Sequence, residues 1–224
     1  LFLFGSSWGS VLGMHMVNRH PDWLHAYIGI GQIVNMMDNE QVLYERLLVH
    51  AREQKEAQLL AKLEALAPYP DPDYPAKSFV DNGNGHFLRR ELSRLAGETT
   101  MHHMPMDDAV NVLLFDKIIS PHLFLTDISN SVLGDEIALI RPPYHFTKEF
   151  MAIDLPNEVG SSFEVPILFF TGAHDWNAPR SLSDHWFSEI NAPYKELVHF
   201  EESSLCVVNE EPGKVLTALV NKVL

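Results

Sequence analysis

The sequence predicts an α/β protein: a parallel sheet of about four strands flanked by helices, with an all-helical segment inserted between the second and third strands. Three observations support this fold class. Residues 1–4 are an unbroken apolar run that enters a glycine-rich turn and then an apolar helical pattern. The same strand, turn and helix order returns from residue 165. Between them, residues 35–156 have helical periodicity and no convincing strand.

Composition narrows the function classes. The 224 residues are 46% hydrophobic, which is enough for a real core. The 16 basic and 30 acidic residues give a net charge of −14, which argues against nucleic acid or an anionic membrane surface as a partner. The single cysteine, Cys206, excludes an intrachain disulfide framework and suits a reducing compartment, so we expect a cytoplasmic protein, with a cysteine-poor secreted protein as the alternative. The apolar start lacks the basic flank of a signal peptide. It also lacks an initiator methionine, so we expect the chain to begin inside a longer protein.

The first turn has the pattern of a nucleophile elbow. In Gly-x-Ser-x-Gly, the strand turns so sharply that Ser7 takes a strained backbone, which Gly5 and Gly9 allow by removing clashes. The Ser7 hydroxyl would then stand above the sheet, with the backbone amide of Trp8 as an oxyanion donor. An ordinary glycine-rich turn is the alternative. The strand before and the helix after favour the elbow.

The remaining elements follow from periodicity and turn residues. A helix to about residue 19 and a strand over 24–30 complete a β-α-β unit. Residues 38–40 could cap a helix that carries Val42 to Leu48, and 55–66 is a second amphipathic stretch. Residues 68–75 read as an extended proline-rich connector. Further helices are expected around 87–95, 107–119 and 145–151.

One histidine pair invites a metal interpretation. Residues 101–104 read Met-His-His-Met, but adjacent histidines in an extended segment point apart and no third ligand is evident. A polar loop is the better interpretation, and the sequence predicts no metal site.

The second half of the sheet begins with a strand over 165–171. A loop over 172–179, a helix over 180–190, a strand over 194–200, a loop over 201–209 and a helix over 211–224 follow. We therefore divide the chain into a first part of the core (1–34), a helical cap (35–156) and a second part of the core (157–224). Helical insertions at the carboxyl ends of parallel strands commonly select substrates.

Several separate motifs resemble one known family in order and spacing. They are Gly5-Ser6-Ser7-Trp8-Gly9-Ser10, Tyr27-Ile28-Gly29-Ile30-Gly31-Gln32, the run from Val165 to Asp175 with Pro179, and Phe200-Glu201-Glu202-Ser203 with Glu210-Glu211-Pro212. The sequence looks like the second half of an α/β-hydrolase and is most similar to the proline iminopeptidase group. The resemblance implies a serine hydrolase that needs no cofactor and acts on a small molecule or short peptide. It assigns Ser7 as nucleophile and Asp175 as acid.

The resemblance also exposes a departure at the base. The family has its catalytic histidine directly after a Phe-x-x-Ser-x motif, and a Glu-Glu-Pro motif follows at a fixed distance. Both motifs are present here, and together they align the histidine position with Leu205. Leucine accepts no proton, so we expect the turnover of this chain to be reduced by a factor on the order of 10⁴ to 10⁶. Two other histidines could in principle replace the base, but neither is well placed. His199 precedes Leu205 along the chain by about 20 Å of strand, and the side chain of His174 should point to the face opposite that of Asp175. Cys206 fits a small buried residue better than a nucleophile.

Two further expectations concern the substrate and the sheet edge. Cap glutamates hold the substrate amino terminus in this family, which makes Glu40 and Glu45 candidates, although a solvated helix face is the alternative. Gln32 follows a core strand and is expected to face the site. The family's front half does not precede residue 1, so we expect the edge of the first strand to pair with an N-terminal part of the same protein or with another chain.

Two classes of function therefore remain open. The first is a serine hydrolase that cleaves a small peptide, amide or ester bond through Ser7. The second is an impaired or non-catalytic homologue, or a fragment, that binds a small molecule or a partner. The resemblance favours the first, and Leu205 favours the second.

Overall fold

The fold is built around one parallel β-sheet. The computed structural model describes residues 1–71, residue 91 and residues 144–222. Within these residues the strands are β1 Phe2–Ser6, β2 Ala26–Ile30, β3 Ile167–Gly172 and β4 Lys195–Phe200. They lie in the order β1-β2-β3-β4, and each neighbouring pair is parallel. The predicted fold class is confirmed.

The first half of the sheet is the expected β-α-β unit. β1 leads through Ser7 into helix α1, Trp8–Arg19, and a short 3-10 helix, Pro21–Trp23, precedes β2. β1 extends two residues beyond the apolar run because its ladder with β2 continues to the pair Ser6 and Ile30. The strand therefore ends directly at the predicted nucleophile.

The helix after β2 begins earlier than the sequence suggested. We expected residues 38–40 to cap it, but α2 spans Met36–Glu53 and its N-cap is Asn35, whose Oδ1 accepts the Asp38 N–H at 3.1 Å. Helix α3, Ala57–Glu64, packs on α2. A separate apolar group, here called the α2–α3 cluster, joins them: Leu43, Tyr44, Leu47, Ala51, Leu59, Leu63 and Tyr69.

The chain leaves the sheet and returns to it at adjacent points. Asn35 and Asp154 form an antiparallel bridge, and the Leu155 N–H donates to the Val34 carbonyl at 2.9 Å. Helices α4, Tyr144–Met151, and α5, Leu155–Val159, lead back to β3. The proposed boundaries at 34/35 and 156/157 stay predictions. The helices expected at 87–95 and 107–119, residues 101–104 and most of the 68–75 connector lie outside the described residues.

The second half of the sheet also follows the expected order. α6, Arg180–Glu189, connects β3 to β4, and α8, Pro212–Lys222, ends the described chain. The segment 201–209 was expected to be a loop throughout, but Val207–Glu210 forms a short helix, α7. Its first residue is buried, so the apolar contact of Val207 with the sheet fixes this turn.

The core lies on both faces of the sheet. Tyr27, Ile167 and Phe169 face α1 and α6, while their strand neighbours Ile28 and Leu168 face the other side and pack with α8 residues. All residues of β2 and β3 are buried. Such continuous apolar runs are typical of parallel strands covered on both faces.

Two outer features complete the fold. Among the described strands, β1 pairs with β2 alone, and Phe2 and Phe4 are 44% and 50% exposed. The expected pairing of this edge with a further strand stays a prediction, which amide hydrogen exchange in β1 would report. No helix among the described residues has the length and apolar character needed to cross a membrane.

Candidate active site

Ser7 lies at a sharp turn between β1 and α1. Its backbone has φ 50° and ψ −122°, in the left-handed region that side chains other than glycine rarely adopt. Its N–H donates to the Ile30 carbonyl at 3.0 Å, which ties the turn to the end of β2. Strain of this kind is characteristic of functional turns, and the strained conformation expected of Ser7 is present.

The two glycines of the motif have different roles. A Cβ at Gly5 would lie 2.7 Å from the Gly9 carbonyl oxygen, 2.8 Å from Ser10 Cα and 2.9 Å from the Tyr27 hydroxyl. A Cβ at Gly9 would meet no described atom within 4 Å. The expectation that both glycines remove clashes is therefore right for Gly5 and wrong for Gly9, which lies on the open side of α1.

Alanine substitutions should separate these roles. Gly5→Ala should lower the free energy of unfolding by about 3 kcal/mol, because the new Cβ would meet backbone atoms of Gly9 and Ser10 that cannot move aside. Gly9→Ala should be neutral or stabilising by up to about 1 kcal/mol, since alanine favours a helix. Urea denaturation of both variants measures the difference. Equal losses would show that α1 approaches β1 differently from this geometry.

A buried polar network lies beneath the elbow. The Tyr27 hydroxyl is 3.1 Å from the Ser10 carbonyl oxygen and 2.8 Å from Gln32 Oε1. Gln32 Nε2 donates to the Ile33 carbonyl at 2.8 Å, and the Ile33 N–H donates to Ser10 Oγ at 3.0 Å. Burial raises the pKa of Tyr27, so the phenol stays protonated. Gln32 was expected to face the site; its side chain instead supports the elbow, since Gly29 leaves it room to fold inward.

Trp8 is the first residue of α1. Its backbone N–H lies at the N-terminal end of this 12-residue helix, where the helix dipole favours negative charge. Its ring is partly exposed and lies 5.3 Å from the ring of Phe150. The oxyanion role of the Trp8 amide stays a prediction.

Asp175 follows β3 and is buried to 1% exposure. Its Oδ1 accepts the N–H groups of Asn177 at 2.8 Å and Ala178 at 2.9 Å. Its Oδ2 has no hydrogen-bond partner in the described part of the chain. Burial raises the pKa of this carboxyl to about 7, against the lowering effect of the two amides and of Arg46. One oxygen of the acid is thus satisfied and the other is not.

Leu205 lies beside that unpartnered oxygen. A Cβ placed at Gly31 would overlap Leu205 Cδ1 and would lie 3.1 Å from Asp175 Oδ2, so both groups line the same small space. Gly31 follows β2 and has φ 53°, a conformation that favours glycine. It is also next to Ile30, which binds the Ser7 amide. Ser7, Asp175 and Leu205 therefore lie together at the carboxyl ends of the parallel strands.

The loop that carries Leu205 is held by the acidic motif after it. Glu210 Oε2 accepts the Ser204 N–H at 2.8 Å, and Glu211 Oε2 accepts the Ser203 hydroxyl at 2.7 Å. A Cβ at Gly172 would overlap the Ser204 carbonyl oxygen, so β3 must end in glycine for the loop to approach. Glu210 and Glu211 thus position the loop of residue 205. In the sequence they served only to align this residue with the histidine position of the family.

The other candidate bases lie elsewhere. His199 Nε2 is 3.1 Å from Asp184 Oδ2 on α6, and His174 joins the loop of Leu205 through its main chain, where its carbonyl accepts the Ser204 hydroxyl at 3.1 Å. Among the described residues, no histidine is hydrogen-bonded to Ser7 Oγ. Burial, followed by Glu210 and Asp175, raises the pKa of Cys206 to about 11, so this thiol is protonated at neutral pH.

The two glutamates of α2 differ in environment. Glu40 is fully buried, and its Oε2 accepts the Tyr69 hydroxyl at 2.8 Å, so the solvated-face interpretation is wrong for this residue. Glu45 is exposed, and its Oε1 accepts Gln41 Nε2 at 3.0 Å. A role of either in binding substrate stays a prediction. No group of three potential metal ligands occurs among the described residues, and residues 101–104 lie outside them.

This parallel sheet, with a strained serine between β1 and α1 and a buried acid after β3, defines the class: the chain has the α/β-hydrolase fold. Among known proteins it is similar to the probable aminopeptidase YbaC of Bacillus subtilis, with 30% identity over 220 residues, 95% of this chain and 62% of that protein. The chain thus spans less than two thirds of this relative. No protein-family model matches the sequence.

Two solved structures share the fold. The proline iminopeptidase of Mycobacterium smegmatis has a TM-score of 0.58 at 17% identity, covering 99% of this chain and 64% of that one. An enzyme that degrades N-acyl homoserine lactones has a TM-score of 0.53 at 14% identity, covering 99% and 67%. At these identities the likeness concerns the fold alone. The α/β-hydrolase fold that the resemblance implied is confirmed.

Proposed function

We propose that this chain carries the active-site half of a proline iminopeptidase-like serine hydrolase, and that Leu205 leaves it strongly impaired. The substrate would be a small peptide, amide or ester whose carbonyl carbon is attacked by Ser7. One observation carries the proposal: the buried Asp175 has an oxygen without a hydrogen-bond partner among the described residues, directly beside the leucine at the position of the base. A buried carboxylate oxygen without a donor is costly, so this arrangement fits a site shaped for an imidazole.

The chemistry follows from the positions of the groups. In a complete triad, an imidazole N–H donates to the acid, and the other ring nitrogen takes the serine proton as Oγ bonds to the carbonyl carbon. The proton then passes to the leaving amine or alcohol as the old bond breaks, and water releases the acyl group. Here Ser7 and Asp175 retain their positions in the motif, while Leu205 can neither take nor give the proton.

Relatives support the substrate class. The Bacillus subtilis protein is named a probable aminopeptidase, and a solved structure with this fold is a proline iminopeptidase. Glu40 and Glu45 are the candidate groups for a substrate amino terminus. A second function remains open because of Leu205: a site that binds a short peptide and does not cleave it.

The first test compares the chain with its Ser7→Ala variant. Serine and histidine of a triad act as a unit, and loss of either costs about as much as loss of both. Ser7→Ala should therefore change hydrolysis of a p-nitrophenyl ester or a proline p-nitroanilide by less than about tenfold. A fall of about 100-fold or more would show that another base already serves Ser7, and impairment would be rejected.

The second function has its own measurement. Isothermal titration of the unmodified chain with an amino-terminal prolyl dipeptide would detect binding without turnover. The Glu40→Gln and Glu45→Gln variants would then show which carboxylate, if either, holds the amino group. Binding that survives both changes would remove the two glutamates from the site.

A further inference from the structure

The loop that carries Asp175 is held from outside the sheet core. Arg46 Nη1 donates to the Asp175 main-chain carbonyl at 2.8 Å, and Asn39 Nδ2 donates to the Asn177 carbonyl at 2.6 Å. The guanidinium carbon of Arg46 lies 5.9 Å from the ring centroid of Trp176, which also packs against the α2–α3 cluster. Three consecutive residues of this loop thus contact α2 or its cluster.

The main chain of the Asp175 loop makes hydrogen bonds with two groups: side chains of α2 and the carboxylate of Asp175 itself. The carbonyls of Asp175 and Asn177 accept from α2, while the amides of Asn177 and Ala178 donate to Asp175 Oδ1. Asn39 and Arg46 are seven residues apart, so they lie on one face of the helix, two turns from each other. The loop conformation that points Oδ2 toward Leu205 is therefore fixed by both sets of bonds together.

We propose that Arg46 and Asn39 are positioning residues, which set the orientation and the electrostatic environment of Asp175 from α2. This inference deepens the proposed function, on whose acid it rests. It places two determinants of the acid in the segment predicted as the cap, although neither is part of any hydrolase motif in the sequence. A ligand that displaces α2 would thereby change the acid as well.

The role of Arg46 can be measured as a change in the pKa of Asp175. The charged and titratable groups that act on Asp175 are Arg46 from α2, Glu210 from α7 and Cys206 before α7. Arg46 lowers the pKa of Asp175 and Glu210 raises it. Because the carboxyl is buried, water screens these effects weakly. Removal of the guanidinium should therefore move the protonation midpoint upward.

The experiment is a carboxyl ¹³C NMR titration of the aspartate-labelled chain, with Asp175→Asn used to assign the resonance. Arg46→Met should raise the Asp175 midpoint by about one pH unit. Arg46→Lys, which retains the charge, should shift it less than Arg46→Met. Arg52→Met is the matched control, because Arg52 lies on the same helix but is 57% exposed and 3.6 Å from Glu64. Equal midpoints in Arg46→Met and Arg52→Met would overturn the role of Arg46.

Asn39 is tested by hydrogen exchange. Asn39→Ala should speed exchange of the Asn177 and Ala178 amides at least about tenfold, while amides of β3 keep their protection. Uniform acceleration throughout the chain, or none in the loop, would overturn the role of Asn39. Neither measurement uses hydrolysis, so both remain valid if the proposed function is rejected. A negative result in either would reject the positioning role and would leave the interpretation of the Ser7 variants unchanged.

Discussion

Leu205→His should raise the rate at which a fluorophosphonate labels Ser7 by at least about 100-fold. A complete base contributes a factor of about 10⁴ to 10⁶ to the rate, and a histidine introduced at residue 205 should recover a part of this factor. The partner for the new imidazole is already present, because Asp175 Oδ2 is unpartnered among the described residues and lies in the same space beside Gly31. Mass spectrometry of the Ser7 adduct measures the rate.

Matched variants make this gain specific. Leu205→Asn gives a polar side chain without a base and should leave labelling unchanged. Asp175→Asn in the Leu205→His background should remove most of the gain, because the imidazole loses its acceptor. The labelling rate should also rise with pH through the histidine range, near 6.5. A folded Leu205→His chain with no gain would contradict the assignment of residue 205 as the base position.

The sequence was sufficient for the sheet because its signals are local. The apolar runs at residues 1–4 and 165–171 predict strands β1 and β3, and the glycine-rich turn after the first run has the strained serine that its residues predict. Of these two strands only β3 is buried throughout, because β1 has one neighbour among the described strands and leaves Phe2 and Phe4 exposed. The errors are also local in origin. Residues 38–40 have cap-forming types, but helix α2 begins before them because Asn35 accepts the Asp38 amide.

The site could be predicted only as far as its motifs extend. Ser7, Asp175 and Leu205 follow strands, and the resemblance to the proline iminopeptidase group assigns their positions in the triad. Arg46 could not be found in this way, because its bond to the Asp175 carbonyl joins residues 129 positions apart and no local pattern marks it. The inward direction of Gln32 depends likewise on space left by Gly29, which only the packed structure reveals.

The burial of Glu40 illustrates the same limit. Its position on an amphipathic helix allowed a solvated face, yet it is fully buried because Tyr69, beyond the next helix, closes over it and donates a hydrogen bond. Periodicity gives the face of a helix that is apolar. It does not show which later segment will cover the polar side.

Asp175→Asn should stabilise the chain above neutral pH and should flatten its pH dependence. The pKa of Asp175 is about 7 in the folded chain, mainly because of burial, and about 3.9 when unfolded. Between these values the folded state binds one more proton than the unfolded state, so the free energy of unfolding falls as pH rises from about 4 to about 7. The loss should be on the order of a few kcal/mol in total.

Asparagine removes this loss because it stays neutral while its Oδ1 can still accept the amides of Asn177 and Ala178. Urea denaturation from pH 4.5 to 8.5 gives the difference curve, in which titration of the shared histidines cancels. Asp22→Asn, at an exposed position, is the control and should follow the original chain. A variant that is less stable at pH 8, or that keeps the slope, would mean that Asp175 Oδ2 has a charged or hydrogen-bonded partner in solution. Since that partner would take the place of the imidazole, the same result would weaken the case for Leu205 as the missing base.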